Sequence, residues 1–231
     1  WPSYGYDAGG GRFSPLTQIT PDNVNKLQVA WTYHMNPIPS QKLARVPFAT
    51  TTPLVVGNRI FLGTPYGRVV ALDSTRGKQL WAYDLPTGDQ PPFRGLGYWP
   101  GDKSHAPRLI FGTLRGRMIA LDAKTGAPSK GFGVDGVVDT RTPEIMNDLP
   151  NAFYGYSAPP TVANGVVYAP NQDGHIRAFD AKTGAVVWDY DAGAMTYDTV
   201  NGVKEQRGAN FDGSGMAFAG DMAFTMSGYN G

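Results

Sequence analysis

Three absences narrow what this sequence can be. It contains no cysteine, which excludes disulfide bonds, thiolate metal sites and cysteine nucleophiles. No stretch approaches the roughly 20 consecutive apolar residues that a membrane-spanning helix needs. An excess of charge of one sign is also lacking, because 20 basic and 19 acidic side chains leave a formal net charge of +1. Such a chain has no strong long-range field, so we expect no nucleic acid among its partners.

The residues that are abundant favour short strands and tight turns. The chain has 30 glycines and 19 prolines, which long helices tolerate poorly, together with 12 tyrosines, 11 phenylalanines and 5 tryptophans. Its 231 residues, 41% of them hydrophobic, are enough to bury a sizeable core. The composition therefore predicts an all-β fold.

One pattern occurs three times, in residues 67–81, 116–126 and 174–188. Each copy contains Gly-x-x-x-Ala-Leu/Phe-Asp-x-x-x-Gly. An alternating strand leads into an aspartate that can accept hydrogen bonds from turn amides, and the last glycine supplies the positive φ that reverses the chain. In the first and third copies the return strand reaches Trp81 and Trp188. The repetition predicts that both tryptophans pack between neighbouring units.

A second hairpin precedes two of these copies. Residues 57–58 and 164–165 are Gly-Asn and Asn-Gly, typical of two-residue hairpin turns, and residues 213–226 begin a further hairpin. Each complete unit is thus a sheet of four antiparallel strands, which is one blade of a β-propeller. We predict an all-β propeller region over residues 1–231, with three blades and part of a fourth.

The number of blades raises the question of how the ring closes. Closed propellers typically have about four to eight blades, and an open ring leaves bare apolar faces and unpaired strand edges. We therefore expect this region to be incomplete. Two completions stay open: a larger parent chain, or a second copy of this chain that dimerises with the first.

Four stretches carry a family resemblance: residues 4–33, 94–102, 131–139 and 198–231. They resemble segments of the quinoprotein alcohol and glucose dehydrogenases, which use pyrroloquinoline quinone (PQQ), and the Asp-x-x-x-Gly-x-x-x-Trp repeats are similar to the tryptophan-docking repeats of that family. Within the resemblance, residues 1–159 look like the opening blades and residues 160–231 like the closing blades. The central blades, which carry the family's general base and most of its calcium ligands, have no counterpart here.

The resemblance implies PQQ and calcium as cofactors, and it assigns two residues to PQQ. Arg94 matches the family arginine that contacts the cofactor, in an Arg-Gly-Leu-x-Tyr-Trp motif. A guanidinium suits PQQ because it can hold a carboxylate or stabilise charge on a quinone oxygen. Ser157 lies where relatives have a cofactor-contacting hydroxyl. For Arg94 the alternative is a surface ion pair beside a turn, and no catalytic residue or metal ligand can be assigned.

The implied activity is oxidation of an alcohol or sugar hydroxyl, with electrons passing to PQQ and then to a cytochrome or ubiquinone. Relatives work in the periplasm, which is the expected location. A second class of function is a non-catalytic propeller scaffold, similar to the outer-membrane assembly lipoproteins that are built from the same repeats. A half-propeller that dimerises is the third alternative.

Overall fold

The computed structural model describes residues 1–7, 9–38, 47–141, 154–192, 196–200, 203–210, 215–225 and 228–230. In these ranges it contains seventeen β-strands and one 3₁₀ helix, Val24–Lys26. The strands are β1 Leu54–Val56, β2 Arg59–Thr64, β3 Arg68–Asp73, β4 Gln79–Asp84, β5 Gly97–Trp99, β6 Arg108–Gly112, β7 Arg117–Asp122, β8 Val137–Asp139, β9 Thr161–Ala163, β10 Val166–Pro170, β11 His175–Asp180, β12 Val186–Asp191, β13 Thr196–Val200, β14 Val203–Asn210, β15 Ala217–Ala219, β16 Met222–Phe224 and β17 Gly228–Asn230. Among the described residues no helix reaches the length and apolarity that a membrane crossing requires.

Three four-stranded antiparallel sheets form three blades, and in each of them the strands lie side by side in chain order. The first blade is β1 to β4, the second is β5 to β8, and the third is β9 to β12. The further hairpin expected near the end is present as β15 and β16, while β13, β14 and β17 form another sheet. The all-β propeller prediction is confirmed, and the described sheets do not close a ring.

The turns have the chemistry that the sequence predicts. Asn164 and Gly165, between β9 and β10, have φ angles of 50° and 77°. The repeat aspartate works as expected in the second blade, where Asp122 Oδ1 accepts hydrogen bonds from the amides of Lys124 (2.9 Å) and Thr125 (2.8 Å) and from the Thr125 hydroxyl (2.9 Å). The same pattern of bonds surrounds the aspartates of the other two repeats.

The core lies between blades rather than inside any one of them. Side chains on the facing surfaces of the first and second blades form one buried cluster, and those of the second and third blades form another; fully burying one such side chain contributes roughly 1.5–3 kcal/mol. The first cluster contains Leu54, Phe61, Val69, Ala71, Leu85, Leu96, Leu109, Phe111, Ile119, Leu121 and Ala123. The second contains Trp99, Ile110, Met118, Ala120, Phe132, Tyr156, Val167, Ala169, Phe179 and Ala181.

Trp81 joins the first blade to the second. Its indole covers the repeat turn of the second blade so closely that a Cβ on Gly126 would lie 2.5 Å from the ring. Its Nε1 donates a hydrogen bond to the carbonyl of Ala123 at 3.3 Å. Trp31, in the segment before the first blade, covers Gly77 of the first blade in the same way. In both turns the glycine is therefore needed for two reasons: its φ is positive, and an indole ring lies directly against its Cα.

The second blade uses a different aromatic residue to contact the third. Phe132 of the second blade lies 3.1 Å from the Cβ position of Gly184 in the repeat turn of the third blade. It thus takes the place that Trp81 of the first blade has on the turn of the second blade. The sequence prediction for Trp188 is not met in the described part of the chain. Its side chain has a ring contact with Tyr168 of its own blade, and 39% of the residue is exposed. No described repeat turn lies against its indole, because each of the three turns is covered by another side chain.

An arginine in the second strand of a blade adds a polar clamp to the next blade. Arg59 Nη1 donates to the carbonyls of Ala123 (3.0 Å) and Lys124 (2.8 Å). Arg108, which has the same register in the second blade, donates in the same way to turn carbonyls of the third blade. The third blade has Val166 at this register. The third blade thus has no arginine at the register from which Arg59 and Arg108 form this clamp.

Candidate functional site

The loops that lead into the first strands of the three blades meet at one place. The amide of Thr52, just before β1, donates to the carbonyl of Arg94, just before β5, at 3.0 Å. A Cβ on Gly95 would lie 3.1 Å from the Thr52 carbonyl oxygen and 3.9 Å from Pro159, which precedes β9. Because corresponding strands of consecutive blades begin side by side, residues far apart in sequence converge at this end of the propeller.

Arg94 stands at this meeting point with an exposed side chain. It lines two clefts, one of about 500 Å³ and one of about 570 Å³. Its guanidinium forms no ion pair with any residue in the described ranges, so the alternative of a surface ion pair is not realised there. A cation with unused donors at the edge of a cleft can bind an anionic or carbonyl oxygen.

Ser157 lines the smaller cleft together with Arg94. The serine is only 3% exposed and lies in the loop before β9. The structure therefore brings the two residues that the sequence proposed to one cleft. The other lining residues are Pro47, Phe48, Thr50, Pro65, Gln90 and Phe93.

The larger cleft adds a second cation that the sequence did not single out. Arg12 lines it, with the guanidinium carbon 4.8 Å from the centre of the Tyr4 ring. The backbone of Arg12 has a φ of 50°, and its amide donates to the carbonyl of Gly5 at 2.8 Å. The N-terminal segment thus lines this cleft together with β15 and β16, which supply Ala217 and Phe224.

Tyr156, the residue before Ser157, is held in place by buried hydrogen bonds. The Tyr156 hydroxyl donates to Thr140 Oγ1 at 3.1 Å, and its amide donates to the carbonyl of Thr113 at 2.9 Å. A Cβ on Gly112 would lie 2.2 Å from this side chain, so only glycine fits there. Burial raises the pKa of Tyr156 to about 12.

This raised pKa predicts a loss of stability at alkaline pH. The folded chain favours the neutral phenol, so the contribution is full below the ordinary pKa near 10 and is lost as pH rises toward 12. Between pH 8 and pH 11 we expect the free energy of unfolding of the wild type to fall by about 1 kcal/mol more than that of Tyr156→Phe. Urea unfolding at both pH values measures this difference. Parallel losses in the two proteins would contradict the prediction.

Arg177, on β11, is a buried charged side chain of the same region. It is 2% exposed, and its Nη1 lies 2.7 Å from Asp173 Oδ2 while its Nε donates to Asp189 Oδ2 at 3.0 Å. Neither Nη1 nor Nη2 has an aligned hydrogen bond among the described residues. The same strand position carries Val70 in the first blade and Ile119 in the second. The charge therefore replaces an aliphatic side chain between the second and third blades.

The described residues offer no metal centre. They contain no group of three or more histidine, cysteine, aspartate or glutamate side chains that could hold a metal ion. No described carboxylate lines the smaller cleft, so the structure identifies no general base there.

Comparison with known proteins gives one consistent result. Residues 1–218 match the family model for the glucose/ethanol/alcohol dehydrogenase β-propeller domain that is named for PQQ. The glycerol dehydrogenase large subunit of Gluconobacter thailandicus is 33% identical over 211 residues, which are 83% of this chain and 28% of that protein. The quinoprotein glucose dehydrogenase of Escherichia coli K12 is 30% identical over 218 residues, covering 84% of this chain and 27% of that protein.

A solved structure agrees. The quinohemoprotein alcohol dehydrogenase ADHIIG from Pseudomonas putida HK5 superposes with a TM-score of 0.63 at 31% identity, over 82% of this chain and 26% of that one. This chain thus spans little more than a quarter of the length of these relatives. The match of the family model over most of the chain shows that the chain belongs to the PQQ-dependent glucose/ethanol/alcohol dehydrogenase β-propeller family.

Proposed function

We propose that this chain contributes the Arg94 side of a PQQ site in a quinoprotein dehydrogenase that oxidises an alcohol or sugar hydroxyl. The observation that carries the proposal is the position of Arg94, whose guanidinium has no ion-pair partner among the described residues and shares a cleft with the buried Ser157 where the loops of three blades meet.

The residues present fit part of an acidic, planar cofactor. PQQ carries three carboxylates and an ortho-quinone, and the fork of a guanidinium matches a carboxylate or a quinone oxygen. A cleft of about 500 Å³ is within the usual size of a cofactor pocket. Arg94 would hold an acidic group or a carbonyl oxygen, and Ser157 would contact the same ligand. When bound, PQQ supplies the electron-accepting chemistry, while these residues bind and orient it.

The activity of a whole enzyme is proposed only by family membership. The substrate, transfer of electrons to a cytochrome or ubiquinone, and a periplasmic location all rest on relatives of which this chain covers about 27% or 28%. The assignment of residues 1–159 to opening blades and of residues 160–231 to closing blades also stays a prediction. Calcium and a general base are assigned to no residue, because the described residues contain no group of three or more histidine, aspartate or glutamate side chains and no described carboxylate lines the smaller cleft.

Binding of PQQ by the purified chain tests the proposal. We expect calorimetric titration to show binding at micromolar PQQ, and Arg94→Ala to weaken it by at least tenfold, because a charge-assisted contact of roughly 1.5–3 kcal/mol is lost. Arg94→Lys should recover only part of the affinity, since an ammonium lacks the planar fork. Arg76→Ala is the matched control, because Arg76 is an exposed arginine that lines neither cleft.

Each outcome has a distinct meaning. A wild-type chain that binds no PQQ at these concentrations would overturn the proposed function and favour the scaffold alternative. Binding that Arg94→Ala leaves intact would overturn the role of Arg94 while keeping the cofactor. An equal loss in Arg76→Ala and Arg94→Ala would mean that general charge, not this position, draws the anion to the chain.

A further inference from the structure

We infer that Asp89 is a positioning residue for Arg94, and this inference rests on the proposed function. Asp89 lies five residues before Arg94 in the loop that crosses from the first blade to the second. Its carboxylate is held by the second blade, and the loop is held again at Arg94. The buried carboxylate of Asp89 thus helps to fix the position of the Arg94 guanidinium.

The carboxylate of Asp89 is fully paired although the residue is only 2% exposed. Its Oδ2 accepts hydrogen bonds from Thr113 Oγ1 at 2.8 Å and from Arg117 Nη1 at 3.1 Å. Its Oδ1 accepts from the amides of Arg115 at 3.2 Å and Gln90 at 2.9 Å. Burying a carboxylate is unfavourable unless donors satisfy it, and here the second blade provides three of the four.

Residues 90–92, between Asp89 and Arg94, are also held in place by contacts with both blades. The Gln90 side chain accepts from the amide of Gly67 in the first blade at 3.0 Å, and its carbonyl accepts from the amide of Leu114 in the second blade at 3.1 Å. Residues 91–92 are both proline, which fixes their φ angles. The ring of the first proline is so close to Gly63 that a Cβ there would lie 3.0 Å away. The loop therefore has little freedom between Asp89 and Arg94.

The far end of the loop is also tied down. Thr50 Oγ1 donates to the carbonyl of Phe93 at 2.9 Å, and the amide of Thr52 donates to the carbonyl of Arg94 at 3.0 Å. The Arg94 guanidinium itself has no ion-pair partner in the described ranges. The position of the guanidinium is therefore set by the backbone of the loop. If the Asp89 end of the loop is loosened, Arg94 should occupy a wider range of positions.

Asp89→Asn tests this with PQQ as the probe. The variant keeps the size of the side chain but removes the charge that pairs with Arg117. We expect PQQ affinity to fall about tenfold in the wild-type background and less than about twofold in the Arg94→Ala background, because two residues that act through one contact are not additive. Asp139→Asn, which removes the partner of Arg141 outside both clefts, should change affinity less than about twofold. Additive losses would overturn the inference.

A measurement without cofactor separates this inference from the proposed function. In Asp89→Asn we expect hydrogen exchange of the Thr52 amide, which bonds to the Arg94 carbonyl, to accelerate about tenfold while the buried amide of Val167 in the third blade stays unchanged. Unchanged exchange at Thr52, or equal acceleration at Val167, would overturn positioning even if PQQ binds. If Asp89→Asn does not fold, Arg117→Gln removes the same ion pair from the other side.

Discussion

Trp81→Ala should lower the free energy of unfolding by about 3 kcal/mol, near the low end of the range for tryptophan truncation because the residue is half-buried. The indole covers Gly126, its Nε1 bonds to the carbonyl of Ala123, and its ring lies 6.0 Å from that of Phe61. The contacts with Gly126 and Ala123 join the first blade to the second, and the contact with Phe61 supports the indole from within the first blade, so the loss of all three weakens the core between these blades. Urea unfolding of the wild type and the variant measures the difference.

Trp188→Ala is the matched control for this experiment. Trp188 has the same place in its repeat, but 39% of it is exposed and no described turn covers its indole. We expect its removal to lower the free energy of unfolding by about 1 kcal/mol or less, as for most exposed positions. Equal losses in the two variants would show that the stabilising contact is made within a blade, and the docking interpretation would then be wrong.

The repeats predicted the blades well because strands, turns and aspartates are set by local sequence. They correctly predicted that Trp81 packs against the next blade, but not which aromatic residue covers the turn of the third blade, since that depends on the neighbouring blade. Phe132 takes the docking position in the second blade from a loop that shows no Trp motif, and Trp188 has the motif but no described turn to cover. A repeat therefore predicts its own sheet more reliably than its contact with the next one.

The residues of the candidate site also differ in how far the sequence alone could predict them. Arg94 could be proposed from the sequence because the motif around it resembles one of the family, and Ser157 because its position resembles that of a hydroxyl in relatives; both roles stay predictions. Asp89 carries no motif, and its partners Thr113 and Arg117 lie on another blade, so only the fold reveals the cluster. Arg177 could have been found from sequence alone, because alignment of the three repeats puts a charge where the other copies are aliphatic.

The buried pair of Arg177 and Asp173 provides the second large prediction. Asp173→Ala should lower the free energy of unfolding by about 3–5 kcal/mol, because it leaves the guanidinium buried without its closest countercharge. Asp84→Ala is the control. It removes the partner of Arg68 at the surface, where the carboxylate is 70% exposed, and such exposed pairs contribute only about 0–1 kcal/mol.

Removing both charges should restore most of this stability. In the double variant Arg177→Ile with Asp173→Asn, an aliphatic side chain occupies the position that Val70 and Ile119 hold in the other blades, and the asparagine still offers an oxygen to the amide of His175. Because a buried ion pair is often replaced by hydrophobic packing without loss, we expect the double variant to lie within about 1 kcal/mol of the wild type. A double variant as unstable as Asp173→Ala would contradict the prediction and mean that an aliphatic side chain cannot replace the contacts of Arg177, which include the hydrogen bond from its Nε to Asp189.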